Sequence, residues 1–270
     1  YWWLHPITTP QIETGNRRRL RQEGVSEKQA ERGIAVVTEA VREHGPQTRR
    51  ELRDRLDAAR VPTARQAFIH VLVAASLRGE IVRGPMRGAE QAFVAVHDWL
   101  GAAPEPVGRP EALAKLARRY LAGHGPAGAP DLAKWAGLTL GDARAAIEAI
   151  RPELVDVSEG LVDLARREGP AGLPAPRLLG PFDPLLLGWA SRDFVVGPHK
   201  IVTSNGLFRA CALVEGRVVA TWGSSGTTLT VQLLEKVKPE VVAALRRDAT
   251  DVLRFLNLTD RTAIVVETRP

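Results

Sequence analysis

The sequence predicts an α+β fold, with tandem winged helix-turn-helix modules followed by a β-rich, barrel-like module that carries a C-terminal helix. Three observations predict it. The stretch HGPQTRREL at 44–52 returns as HGPAGAPDL at 124–132, with His-Gly-Pro and an acidic-Leu pair at the same spacing. Each copy follows a helical pattern and precedes two short apolar runs. Beyond the Pro/Gly linker GPAGLPAP at 169–176, helical periodicity gives way to alternation.

In the first copy, residues 27–43 place Ala30, Ile34, Val37, Ala40 and Val41 on one helical stripe, stopped by Gly45 and Pro46. Thr48 is expected to cap a second helix, with Glu51 completing a capping box and Leu52 and Leu56 turned inward. Thr63 is expected to cap a third helix running to about Arg78 and ended by Gly79. EIVRG at 80–84 and QAFVAV at 91–96 follow as strands joined by PMRGAE. Three helices and a strand-turn-strand wing are the order of a winged helix. The third helix, apolar almost all round, suits packing between modules better than base reading.

The second copy repeats this order. Leu113, Leu116, Ala117 and Tyr120 line a helix at 111–122, a short helix around Leu132 and Trp135 spans 130–137, and Thr139 begins a third helix with Ala143, Ile147 and Ile150. ELVDV and GLVDL then form a tight wing. In the third module, residues 207–235 read as a meander of at least three strands. A helix from Pro239 to about Leu256 turns Val242, Leu245, Ala249 and Leu253 inward. The predicted organisation is a basic N-terminal segment at 1–25, winged helices at 26–100 and 109–168, and the β-rich module at 177–270. The chain opens at Tyr1 and its sole methionine is Met86, so the first segment is expected to be the tail of an upstream module.

Composition narrows the partners. Of 270 residues, 44% are hydrophobic, enough for a substantial core. Cys211 is alone, which excludes an internal disulfide and any multi-cysteine zinc site. No apolar run is long enough to span a membrane, so a cytoplasmic, monomeric protein is expected. The formal charge of +6 and pI near 10.0 favour a polyanion, because cations at phosphate release counterions. Arginine far outnumbers lysine, a bias that either guanidinium-phosphate recognition or a GC-rich genome produces.

Duplex DNA is the expected partner, and its candidate contacts fall in clusters. Arg17, Arg18 and Arg19 form one; Arg49 and Arg53 lie four apart on a helix face. Arg65 and Gln66 open the third helix, with Gln66 the best candidate for a base edge. Arg83 and Arg87 flank a narrow wing tip. The scattered histidines make no metal pair, and neither a phosphate loop nor a serine elbow occurs. No metal or cofactor is expected.

RGPMRGAEQAFV, LARRYLAGHGPAGAPDLAKWAGL, PFDPLLLGW and NGLFRACALVEGRVVATW, taken in order, resemble the bacterial winged-helix DNA-binding family that includes the AlkZ and YcaQ glycosylases. The likeness covers most of 26–256. It implies a concave DNA-binding surface and excision of alkylated or crosslinked bases. The family's catalytic signature, a Gln-x-Gln or Gln-x-Asp pair, has no counterpart here: Gln11 is followed by Ile12 and Glu13. The resemblance therefore implies DNA binding more directly than catalysis. Two residues are candidates for chemistry. Asp183 is fixed between Phe182 and Pro184, with a turn cap as its competing role, and His5 lies beside Trp2 and Trp3, with core packing as its own. A winged-helix transcriptional regulator is the alternative, although no heptad pattern for a dimerisation helix is present.

Overall fold

The computed structural model describes residues 1–167, 169, 172–203 and 206–266. The linker expected at 169–176 lies partly outside the described residues, at 170 and 171. The chain divides into two compact units, Tyr1–Tyr120 with Ala136–Pro152, and Leu121–Trp135 with Glu153–Pro270.

The first unit begins with a helix where the sequence shows only a basic segment: α1 spans His5–Gln22, with Ile7, Asn16 and Leu20 buried. Its apolar residues are too widely spaced to make a visible stripe, and Pro10 lies inside it. Next, α2 (Glu27–His44) starts in a capping box built by Ser26 and Gln29 and buries Ile34, Val37 and Val41. Thr48 and Glu51 form the expected capping box of α3 (Arg49–Ala58), and Leu52 and Leu56 are buried completely.

The third helix begins later than expected. α4 spans Ala67–Leu77 with Gln66 as an N-cap that makes no side-chain cap bond. Thr63 does not cap it, because its hydroxyl donates to Asp57 Oδ1 at 2.5 Å and Arg65 turns to φ 51° in between. The apolar girth of α4 has its explanation inside the unit, where α1 and α2 both pack against it. Phe68, Val71 and Leu72 join Leu20, Ile34 and Val37 in one core.

β1 (Ile81–Arg87) and β2 (Glu90–Ala95) pair antiparallel. The expected six-residue connection is shorter: a bulge between Arg83 and Met86 accommodates Pro85, which has no N–H to donate. Pairing resumes at Met86 with Gln91 and continues to Arg87 with Glu90, and Gly88 supplies the positive φ of the turn, 63°. A short α5 (Val96–Leu100) follows.

The order repeats in α6 (Arg109–His124), α7 (Ala129–Ala136), α8 (Leu140–Glu148), a 3-10 turn at Arg151–Glu153, and the antiparallel pair β3 (Leu154–Ser158) and β4 (Leu161–Leu164). Thr139 caps α8 by accepting from Asp142 N–H. Tyr120, Leu132, Ala143 and Ile150 are fully buried, and Ile147 is half-buried.

The second unit is built on a mixed five-stranded sheet of order β5 (Arg177–Leu179), β6 (Cys211–Val214), β7 (Arg217–Ser225), β8 (Thr228–Leu233) and β9 (Thr262–Val266). All neighbours are antiparallel except β8 and β9. α11 (Pro239–Phe255) packs Leu245, Ala249 and Leu253 against Leu229, Val231 and Leu233. Buried Asp248 on α11 accepts from Arg177 at 2.8 Å and from Leu178 N–H at 2.7 Å, which pins the short β5. A second apolar cluster gathers Val195, Ile201 and Cys211 around Leu186, with α9 (Pro184–Leu187) and α10 (Asp193–Val196) beside it. The chain is thus α+β, with two helix-and-hairpin blocks ahead of a sheet and its terminal helix.

Candidate nucleic-acid interface

The arginine clusters fall on exposed edges of the first unit. Arg17, Arg18 and Arg19 project from α1, while neighbouring Asn16 and Leu20 face inward. Asn16 explains this orientation. Its amide donates to His70 O at 3.0 Å, and its Oδ1 meets His70 Nδ1 at 2.7 Å, so α1 is fixed rotationally on α4. Burial, with Arg19 as the next cause, holds the His70 imidazole below its ordinary pKa.

Arg17 pairs with Glu13 one turn earlier at 2.6 Å. Arg19 donates to Gln22 and, at 2.6 Å, to the side-chain oxygen of Gln66. Glu23 accepts from Gln66 N–H and pairs with Arg65 Nε, both at 3.3 Å. The fold therefore brings Arg19, Arg65 and Gln66 to one edge at the start of α4. Gln66 keeps its amide donors there, whereas its acceptor is taken.

A second edge joins α3 to the β1–β2 hairpin. Glu90 accepts from the backbone N–H of Arg49, and the Arg49 side chain is exposed. Arg83 lies over the Phe93 ring, 5.2 Å from its centroid. Arg87 donates to Pro46 O at 2.9 Å and to Glu51 at 2.6 Å. The Glu51 carboxyl lies below the ordinary carboxylate range, chiefly because Thr48 N–H donates to it, with the Thr48 hydroxyl and Arg87 adding to the effect. Arg53 is held into the fold, donating to Thr63 O and lying 4.5 Å over Phe68. Arg49 and Arg83 line a cleft of about 340 Å³ together with Ile69, Leu72, Val73 and Leu77.

The two candidates for chemistry both have structural partners. His5 Nε2 meets Ser76 O at 3.1 Å, and its ring lies 4.9 Å from that of Tyr1. Asp183 caps α9 by accepting from Leu185 N–H at 2.9 Å. Its charge is the lesser of two causes, after burial, that raise the Cys211 thiol to about 11. Among the described residues no group of histidine, cysteine and carboxylate side chains could hold a metal ion. No helix among them is long and apolar enough to cross a membrane.

Sequence reasoning missed the Asn16–His70 pair and the cations over Trp3, where Lys115 Nζ lies 4.7 Å and the Arg119 guanidinium 5.6 Å from the ring. The i, i+4 spacing of Lys115 and Arg119 was a visible signal; the approach of Trp3 was not.

A family model described as DNA glycosylase AlkZ-like matches residues 1–255. The solved structure of the DNA glycosylase AlkZ from Streptomyces sahachiroi superposes with a TM-score of 0.72 at 26% identity, over 91% of this chain and 71% of that one. No curated protein sequence matches. A match to one family across nearly the whole length is decisive, and the chain belongs to the AlkZ-like family of DNA glycosylases.

Proposed function

We propose that the chain binds duplex DNA, damaged DNA included, as a monomer in the cytoplasm, and holds it for the removal of alkylated or crosslinked bases. Family membership along residues 1–255 carries this reading, and the similarity to a solved DNA glycosylase supports it over a transcriptional regulator. On the same reading the two helix-and-hairpin blocks are winged helices. The edge formed by Arg19, Arg65 and Gln66 and the edge formed by Arg49, Arg83 and Arg87 supply phosphate contacts, with Gln66 amide donors available to a base edge.

Hydrolysis of an N-glycosidic bond needs a group that stabilises the cationic sugar and positions water. His5 ties α1 to α4 and Asp183 caps α9, and none of the chain's glutamines begins a Gln-x-Gln or Gln-x-Asp pair. The residues on these edges accordingly bind and orient DNA, and the chemical step is separable from them. Titration of a labelled duplex at several salt concentrations tests the proposal. Steep weakening with salt is expected, and a flat dependence or no binding at low salt would sink it.

A further inference from the structure

The cations over Trp3 belong to neither arginine edge. Lys115 and Arg119 are one turn apart on α6, with the Lys115 ammonium 4.7 Å and the Arg119 guanidinium 5.6 Å from the centre of the same indole. Like charges at this spacing repel one another along a helix face. Among the described residues no carboxylate pairs with either cation, although exposed Glu111 lies one turn before Lys115. Arg109, at the start of the same helix, is by contrast held by Asp142 at 3.0 Å.

The backbone that carries this indole is itself held. Tyr1 O accepts from Leu4 N–H at 3.0 Å and from His5 N–H at 2.9 Å, which closes a turn around Trp3. The same turn places Tyr1 and His5 in the wall of the cleft that Arg49 and Arg83 also line. Within the first unit, a basic surface therefore continues from the α3–hairpin edge, through Tyr1–His5, to the two cations on α6. Arg119 is exposed, and Lys115 and Trp3 are half-buried. An aromatic face steadies a cation without neutralising it, so both charges remain available to an anion.

We infer that Lys115 and Arg119, supported on Trp3, form a further phosphodiester-binding site that takes successive phosphates of one nucleic-acid strand. Side chains one turn apart have Cβ atoms about 5–6 Å from each other, and their long stems can span charges that recur about every 3.4 Å along a strand. Bound phosphates relieve the repulsion between the two cations, and the indole limits the side-chain freedom that binding would otherwise remove. The inference rests on the reading of the chain as a DNA-binding protein, and it adds residues which that reading does not use.

The test is fluorescence anisotropy across a salt series with a labelled duplex of about 20 base pairs, one of its single strands, and a polyglutamate peptide of similar charge. K115Q/R119Q keeps stems of similar reach over Trp3 and removes both charges, so the fold should survive, as a thermal melt would show. This variant should weaken duplex binding about tenfold at low salt and reduce the magnitude of the salt slope by about two. K115R should retain the affinity, and adding R83A to the double variant should lower the slope further by about one. An unchanged slope in folded K115Q/R119Q, with R83A still lowering it, would overturn the inference and leave the duplex reading standing. Polyglutamate bound as tightly as DNA through the same two residues would also overturn it. Binding of the single strand alone, lost in K115Q/R119Q, would overturn the duplex reading and uphold this one. Binding of neither strand nor duplex by the unaltered protein would overturn both.

Discussion

Glu51 and Arg87 meet at 2.6 Å through one carboxylate oxygen, Oε2, which also accepts from the backbone N–H and the hydroxyl of Thr48. One atom thus closes the start of α3 and ties the β1–β2 hairpin to it. Arg87 is both a structural tie and a candidate phosphate contact, whereas Arg83 lies over the Phe93 ring.

Replacing Arg83 and Arg87 together with Ala is expected to weaken duplex binding and to reduce the magnitude of the salt slope by about one to two. R83A should account for most of the loss, since Arg87 shares its donors with Glu51 and Pro46 O. Anisotropy titrations across a salt series read both quantities. An unchanged slope in a folded double variant would remove the hairpin from the interface.

The Glu51 carboxyl has a lower pKa folded than its ordinary 4.5, so the stability it contributes is complete above that value and is lost as pH falls through the lower, folded one. E51Q should cost less than about 1 kcal/mol at neutral pH, because a glutamine oxygen can accept the same cap bond, as Gln29 does for α2, and the ion pair lost is half-exposed. Thermal melts from about pH 7 down to about pH 3 should show the two proteins converging in acid. A constant difference at every pH would show that the charge contributes nothing.

Asn16 is 5% exposed and binds both His70 O and His70 Nδ1. N16A leaves those groups without it and should cost about 2 kcal/mol in urea unfolding. The lowered pKa of His70 means that the folded state favours the neutral ring. Its contribution is therefore present above the ordinary 6.5 and declines as pH falls towards the folded value. H70Q should flatten that part of the stability profile.

Base release is expected to be separable from binding. The 270-residue chain should bind alkylated duplex without releasing base, and D183A should lower the stability of the second unit, through the lost α9 cap, rather than any turnover. A base-release assay on alkylated duplex checks this. Robust excision that D183A abolishes would make Asp183 a catalytic residue.

The features legible in the sequence were those written locally. Thr48 and Glu51 are three apart, and the inward stripe of α2 recurs every turn, so both follow from spacing alone. The start of α4 was not legible, because a bond from Thr63 to Asp57 decides it and no spacing rule marks that choice. α1 stayed hidden because its buried residues are few and one of them, Asn16, is polar. β5 is three residues long and depends on Asp248 far along the chain. For the candidate interface, composition disclosed the arginines but not their partners. Arg19 and Gln66, or Arg83 and Phe93, belong to different elements, and only folding brings them together.

The pairing of β8 with β9 has a consequence for synthesis. β9 lies beyond α11 and beyond residue 255, where the family match ends, and it covers the outer edge of β8 in parallel. While the ribosome is still making α11, the amides and carbonyls along that edge of β8 have no strand to meet. A nascent chain halted before Thr262 would present a row of bare hydrogen-bonding groups, the template on which polypeptides aggregate. Premature termination between the end of α11 and Thr262 should therefore be read out as insolubility rather than as lost activity.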